Sequence, residues 1–183
     1  MGSKSPTISC CAEKNDVLMS LDKPSPRSED AADLHFAVVS SRYNESLSDR
    51  LLSSVMEHLE KAGAKPENIV VERVPGAHEV PGGLALIAKD RTFDSLIGLG
   101  VVLKGDTAHH KLVGESAAFG LQSIALATGS PAINGIVVVE DQSQAEARIG
   151  SDIDRGAEFA AAAVTMAHLR NKWTSRNPGK ERN

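Results

Sequence analysis

Ser95-Leu96-Ile97-Gly98-Leu99-Gly100-Val101-Val102-Leu103 is the stretch on which the reading of the fold turns, and Lys104-Gly105-Asp106-Thr107-Ala108-His109-His110 follows it without a break. The first nine residues are apolar or small at every position, with none of the in-and-out alternation of a half-exposed strand. A continuous run of this length is the pattern of a strand covered on both faces, as in a parallel sheet. After the polar turn, residues 112–127 carry Leu121, Ile124 and Ala125 at helical spacing and close at Gly129. A buried strand passing through a short Gly-containing loop into a helix is one repeat of an α/β layer.

Outward in both directions the same unit recurs. Residues 34–40, 69–74 and 133–139 are further short strands, marked by Val38-Val39, Val70-Val71 and Val137-Val138-Val139. Residues 46–62 place Leu47, Leu51, Leu52, Val55, Met56 and Leu59 on one stripe, ended by Gly63. A shorter helix carries Leu84, Ala85, Ile87 and Ala88 before Asp90, another short one covers 141–150, and residues 157–169 form an Ala-rich helix. Four strands alternating with helices predict right-handed crossovers. The fold class is therefore α/β, a three-layer, doubly wound, mainly parallel four-stranded sheet with helices on both faces. Ligands of such sheets sit at the carboxyl ends of the strands, which directs attention to the loops after residues 40, 74, 103 and 139.

The chain has 183 residues, enough for one domain with a core of its own. That domain is expected over 34–173, between a polar leader, 1–33, and a polar tail, 174–183. Lys23-Pro24-Ser25-Pro26-Arg27 and Pro178-Gly179 break regular structure in the two ends. Removal of the leader to near Asp33 is expected to leave the fold and its activity in place. Aromatic residues make up 3% of the chain, so the core must be aliphatic and each aromatic is informative. A formal net charge of -4 offers no general attraction for nucleic acid or an anionic membrane surface, and no apolar run reaches the length of a membrane span. The only cysteines, Cys10 and Cys11, are adjacent and supply neither a disulfide framework nor a metal spacing, which fits a cytoplasmic setting.

Two familiar motifs are approached and missed. Gly98 and Gly100 begin a dinucleotide fingerprint, but its third glycine is Leu103, and the pair lies within a strand instead of opening a helix. Gly100, Gly105 and Thr107 have P-loop spacing, but Asp106 stands where the phosphate-binding lysine would be. What remains is a Gly-Asp-Thr turn at a helix start, where free amides favour a single phosphate group. His109 and His110 follow it. An imidazole beside a bound phosphate can give and take protons near neutral pH, although tandem histidines also occur as plain surface residues.

The other loops carry less. Tyr43, the only tyrosine, lies in Ser41-Arg42-Tyr43-Asn44 and could stack on a flat ring, or cap the core with Asn44 as a helix N-cap. Val74-Pro75-Gly76-Ala77-His78-Glu79-Val80-Pro81 is stiffened by its prolines. It offers Glu79 and free backbone to a polar ligand, or simply starts a helix. Arg148 suits bidentate phosphate binding, or is a solvated surface charge.

The ordered set of these segments resembles the lumazine synthase family over residues 34–169. It comprises Arg42-Tyr43-Asn44, the 74–81 loop, Lys104-Gly105-Asp106-Thr107-Ala108-His109, Glu115 and Gly120, residues 131–135, and Gln144-Ala145 with Arg148 and Gly150. His78 and Asn134 stand where that family commonly has aromatics, and Lys104 where it commonly has arginine. The resemblance implies a flavodoxin-like sheet. It implies the condensation of 5-amino-6-(D-ribitylamino)uracil with 3,4-dihydroxy-2-butanone 4-phosphate, a transferase step of riboflavin biosynthesis that needs no cofactor and no metal. By similarity, Tyr43 with Asn44 meets the pyrimidine. Ala77, His78, Glu79, Val101, Val102, Leu103 and Asn134 border the ring and ribityl chain. Asp106, Thr107 and Arg148 hold the phosphate, and His109, not His110, is the acid/base. Implied partners are further copies of the chain, as a homopentamer or a pentamer-based icosahedral shell, and riboflavin synthase. A non-catalytic relative that binds ligand or builds shells, and a flavin binder on the same fold, are the competing readings.

Overall fold

The computed structural model describes residues 30–174. Nearly all of the leader, with Cys10 and Cys11, and the tail after Thr174 lie outside the described residues. Within them the chain runs β1 (Phe36–Ser41), α1 (Glu45–Lys61), β2 (Ile69–Val74), α2 (Val80–Asp90), β3 (Ser95–Leu103), α3 (His109–Thr128), β4 (Ala132–Val139), α4 (Gln142–Ile149) and α5 (Arg155–Thr174). The sheet order is β2-β1-β3-β4, and every pairing is parallel. This is the three-layer, doubly wound arrangement expected from the alternation of strands and helices.

The central strands explain the layers. In β1, Phe36 and Val38 point into a core shared with Leu51, Val55 and Leu59 of α1 and Ala160, Ala163 and Val164 of α5. Ala37 and Val39 point into the opposite core, with Leu84 of α2 and Leu121 and Ile124 of α3. β3 sends Ile97, Leu99 and Val101 to the first core and Leu96 to the second. On that second face its next positions are Gly98 and Gly100, and here the missing side chains matter. A Cβ on Gly98 would come within 2.8 Å of Leu121 and Val80, and one on Gly100 within 2.9 Å of the Ser41 hydroxyl and 3.2 Å of Ala77. The glycine pair that imitates a nucleotide motif is thus a packing device, letting α2, α3 and the loop after β2 approach the sheet.

Several boundaries shift from their expected places. β1 starts at Phe36, two residues later than expected, although Leu34 is buried. α2 begins at Val80, ahead of the Leu84 to Ala88 stretch that marked it, and runs through Pro81-Gly82-Gly83. Proline is tolerated there because a first-turn N–H has no helical partner to lose, and Gly83 lies against Val39 and Val74. α3 begins at His109, so both histidines are helical.

Packing also reaches back into the expected leader. Ala31 is fully buried and its amide donates to the Ala62 carbonyl at 2.8 Å, while the His168 ring bonds the Asp30 carbonyl at 2.8 Å. A chain starting at Asp33 is therefore expected to be about 1 to 2 kcal/mol less stable than one starting at Asp30, through loss of those two bonds and of Ala31. Denaturant midpoints of the two chains check this, and equal midpoints would show that the contacts of residues 30–32 carry no net stability.

Candidate active site

The loops at the carboxyl ends of β1, β2 and β3 converge on one cavity of about 590 Å³. Each is held by the backbone of its neighbour. Past the end of β1, the Arg42 amide donates to the Val74 carbonyl at 2.8 Å and the Tyr43 amide to the Pro75 carbonyl at 3.1 Å, so the first two loops stay zipped beyond the strands. The Ser48 hydroxyl donates to the Tyr43 carbonyl at 2.8 Å. With its backbone fixed on both sides, Tyr43 is 74% exposed at the cavity, positioned to stack and not to cap the core.

Asn44 stands at the N-cap position of α1, but not as an ordinary side-chain cap. Its backbone is left-handed, φ 52° and ψ 51°, a conformation asparagine tolerates better than most residues. Its side-chain amide instead donates to the Val101 carbonyl at 2.8 Å, bracing the β1 loop against β3. The bond also fixes where the apolar wall of Val101, Val102 and Leu103 stands relative to Tyr43.

The loop after β2 forms a short 3-10 helix, Ala77–Glu79, over the bare backbone of Gly100. Ala77 is buried beneath it, whereas His78 and Glu79 are exposed and border the cavity. His78 Nδ1 and the Ser116 hydroxyl lie 3.2 Å apart, tying this loop to α3.

The third loop is anchored at both ends. The Lys104 amide donates to the Val139 carbonyl at 2.9 Å, and the Lys104 ammonium pairs with Glu140, joining the ends of β3 and β4. The hydrogen bond from Lys104, aided by its charge, holds the Glu140 carboxyl below the usual carboxylate range. At the other end Thr107 Oγ1 accepts from the His109 amide at 3.4 Å. Gly105, Thr107 and His109 border the cavity. The first amides of α3 have no partner within the helix by geometry, so this wall offers donors to an anion.

One chain does not bring all the expected site residues together. Tyr43, Asn44, Ala77, His78, Glu79, Val101, Val102, Leu103, Thr107 and His109 border the cavity. Asp106, Asn134 and Arg148 do not. Asp106 is exposed between two lining residues. Asn134 sits near the start of the edge strand β4, away from the carboxyl ends, with its side-chain oxygen accepting from the Ile136 amide at 3.1 Å. Arg148 lies on α4 and donates to the Gln144 carbonyl of its own helix at 3.2 Å. The cavity also gains Pro75, Gly76, His110 and Val113. Val113 follows His109 and His110 by one helical turn, a spacing that could have revealed it once both histidines were placed inside the helix.

The chain is thus an all-parallel, doubly wound α/β protein whose cavity opens at the carboxyl edge of the sheet, bordered by an exposed tyrosine, a helix start and an imidazole. The family model described as 6,7-dimethyl-8-ribityllumazine synthase matches residues 33–171. The chain is 41% identical over 136 residues to the 6,7-dimethyl-8-ribityllumazine synthase of Azoarcus sp., covering 74% of this chain and 85% of that one. It is 40% identical over 137 residues to the protein of that name from Nitrosospira multiformis, covering 75% and 84%. It is 38% identical over 144 residues to the one from Pyrococcus furiosus, covering 79% and 90%. The chain belongs to the 6,7-dimethyl-8-ribityllumazine synthase family.

Proposed function

We propose that this protein is a transferase of riboflavin biosynthesis, condensing 5-amino-6-(D-ribitylamino)uracil with 3,4-dihydroxy-2-butanone 4-phosphate to 6,7-dimethyl-8-ribityllumazine, phosphate and water. The observation that carries this reading is the meeting, in one cavity, of the three loops whose motifs resemble the family. Tyr43 stacks on the pyrimidine, braced by Asn44. Ala77, His78 and Glu79 face the ribityl chain and ring edge, opposite Val101, Val102 and Leu103. The Asp106-Thr107 turn holds the phosphate through amides and the Thr107 hydroxyl, and His109 moves the protons of imine formation, phosphate elimination and ring closure. Holding two substrates face to face supplies much of the rate.

The working unit is a ring of subunits, a pentamer or a pentamer-based shell, with Arg148 and Asn134 of one subunit completing the site of the next. Support comes from α3, where Leu112, Phe119 and Leu126 recur every seven residues and are 63%, 74% and 77% exposed. Such a stripe is an open hydrophobic seam in a lone chain and a packing face in an assembly. Riboflavin synthase, which consumes the lumazine, is the further partner. We place the enzyme in the cytoplasm; among the described residues no helix is long and apolar enough to cross a membrane.

The test mixes purified protein with both substrates and follows the absorbance and fluorescence of the lumazine. Sustained formation above the uncatalysed rate is expected. Tight binding of the pyrimidine with no product above background would favour a non-catalytic, shell-forming relative.

A further inference from the structure

His110 borders the same cavity as His109, yet the proposed reaction gives it no part. It is 7% exposed, in the first turn of α3, and its Nδ1 lies 3.0 Å from the Thr107 carbonyl oxygen. A carbonyl oxygen only accepts, so Nδ1 carries a proton and donates it. In the neutral ring this tautomer leaves Nε2 as a bare acceptor. Nε2 is buried, and it has no hydrogen-bond partner among the described residues. An unpaired buried acceptor is a cost to folding. A phenylalanine of similar size would fill the space without it, so packing alone does not account for a histidine here.

What the histidine supplies is a grip on one peptide plane. The C=O of Thr107 and the N–H of Ala108 belong to the same trans peptide and point in opposite directions. Drawing the Thr107 carbonyl toward His110 therefore turns the Ala108 amide away from the first turn of α3. The Thr107 hydroxyl keeps its proton free, because its oxygen is the acceptor for the His109 amide. We infer that His110 is a positioning residue for the phosphate subsite: through Nδ1–H it fixes the turn of residues 105–108 so that the Ala108 amide and the Thr107 hydroxyl meet the phosphate of the four-carbon substrate. This rests on the reading of the cavity given under Proposed function.

Two substitutions separate grip from packing. His110→Phe keeps an aromatic ring in the space, slightly larger than imidazole and with the open cavity beside it, while removing both the donor and the bare acceptor. His110→Asn places an amide nitrogen at the same distance from Cβ as Nδ1, restoring the donor while leaving part of the ring volume empty. For the phenylalanine variant the unfolding temperature should be equal to or above wild type. Its KM for the butanone phosphate should rise roughly tenfold, the loss of about one hydrogen bond to the turn, with kcat and the pyrimidine KM little changed. The asparagine variant should unfold at a lower temperature yet keep a near wild-type KM for the phosphate substrate. The reverse ordering, with asparagine impaired in KM and phenylalanine unaffected, would overturn the inference and assign His110 to packing. Calorimetric titration of the same three proteins with inorganic phosphate decides the matter independently of turnover. If the wild type made no lumazine, the proposed reaction would fail, while weaker phosphate binding in His110→Phe alone would still uphold the role of His110 and equal binding in all three would sink it.

Discussion

His109→Ala is expected to lower turnover by roughly ten- to a thousandfold, at or below the usual range for loss of a general acid/base. The effect is bounded because the condensation of an aromatic diamine with a reactive ketone has a chemical background rate, and the orienting walls of the cavity survive the substitution. The geometry favours proton transfer over a structural role. His109 is the first residue of α3, exposed, and attached to the Thr107 hydroxyl only through its backbone amide. Its ring makes no hydrogen bond within the described residues, so both nitrogens are open to substrate, and an imidazole exchanges protons readily near neutral pH. Because no packing depends on the ring, the variant should keep its unfolding temperature and its affinity for the lumazine product. Turnover within about threefold of wild type would remove the imidazole from the chemistry, since general catalysis is worth more than that. Loss of turnover together with loss of product binding would assign His109 to binding instead.

The contrast between the two histidines marks where sequence reading stopped. Adjacent residues on a helix point about 100° apart, so the two rings border one cavity in different surroundings, His109 exposed and His110 buried. The resemblance singled out His109, but the surroundings of the two rings needed the true start of α3, at His109 and not three residues later. Their different surroundings, one exposed and one buried against the Thr107 carbonyl, follow from that register. The sheet, by contrast, was legible throughout. Apolar runs such as 95–103 have no other comfortable place than a strand covered on both sides, and the glycines within that run became intelligible once helices were laid over them. The loops were legible as motifs but not as geometry. Nothing in Asn44 itself says that its amide reaches Val101, because that contact spans 57 residues and depends on the order in which strands pair. The same limit applies to the 74–81 loop, whose residues left a ligand-facing loop and a helix start both open until α2 was seen to begin at Val80, with Gly83 against Val39 and Val74.

Arg148 is expected to act across a subunit boundary. Its substitution by alanine should weaken the butanone phosphate by roughly ten- to a hundredfold with a smaller effect on the pyrimidine, the scale of one or two charge-assisted hydrogen bonds. A dianionic phosphate bound at the 105–108 turn, as proposed, would lie beside the exposed Asp106 carboxylate, and one helix terminus contributes only a partial positive charge. A full cation is needed. Within one chain Arg148 does not border the cavity and its guanidinium is folded back on the Gln144 carbonyl of α4. The proposed source is a neighbouring copy, and the exposed stripe on α3 suits packing between subunits. The arrangement has a consequence that a site within one chain would not have. His109→Ala and Arg148→Ala, each impaired alone, can be dissociated, mixed in equal amounts and reassembled. At random mixing roughly a quarter of the interfaces then pair an intact His109 with an intact Arg148, and about that share of wild-type activity should return when the phosphate substrate is scarce. A site contained in one chain would show no such recovery, because every chain in the mixture would still lack one of the two groups. Co-assembly is verified by mass, so that mixed rings with no recovered activity would show that Arg148 does not complete a neighbour's site and would overturn the shared arrangement.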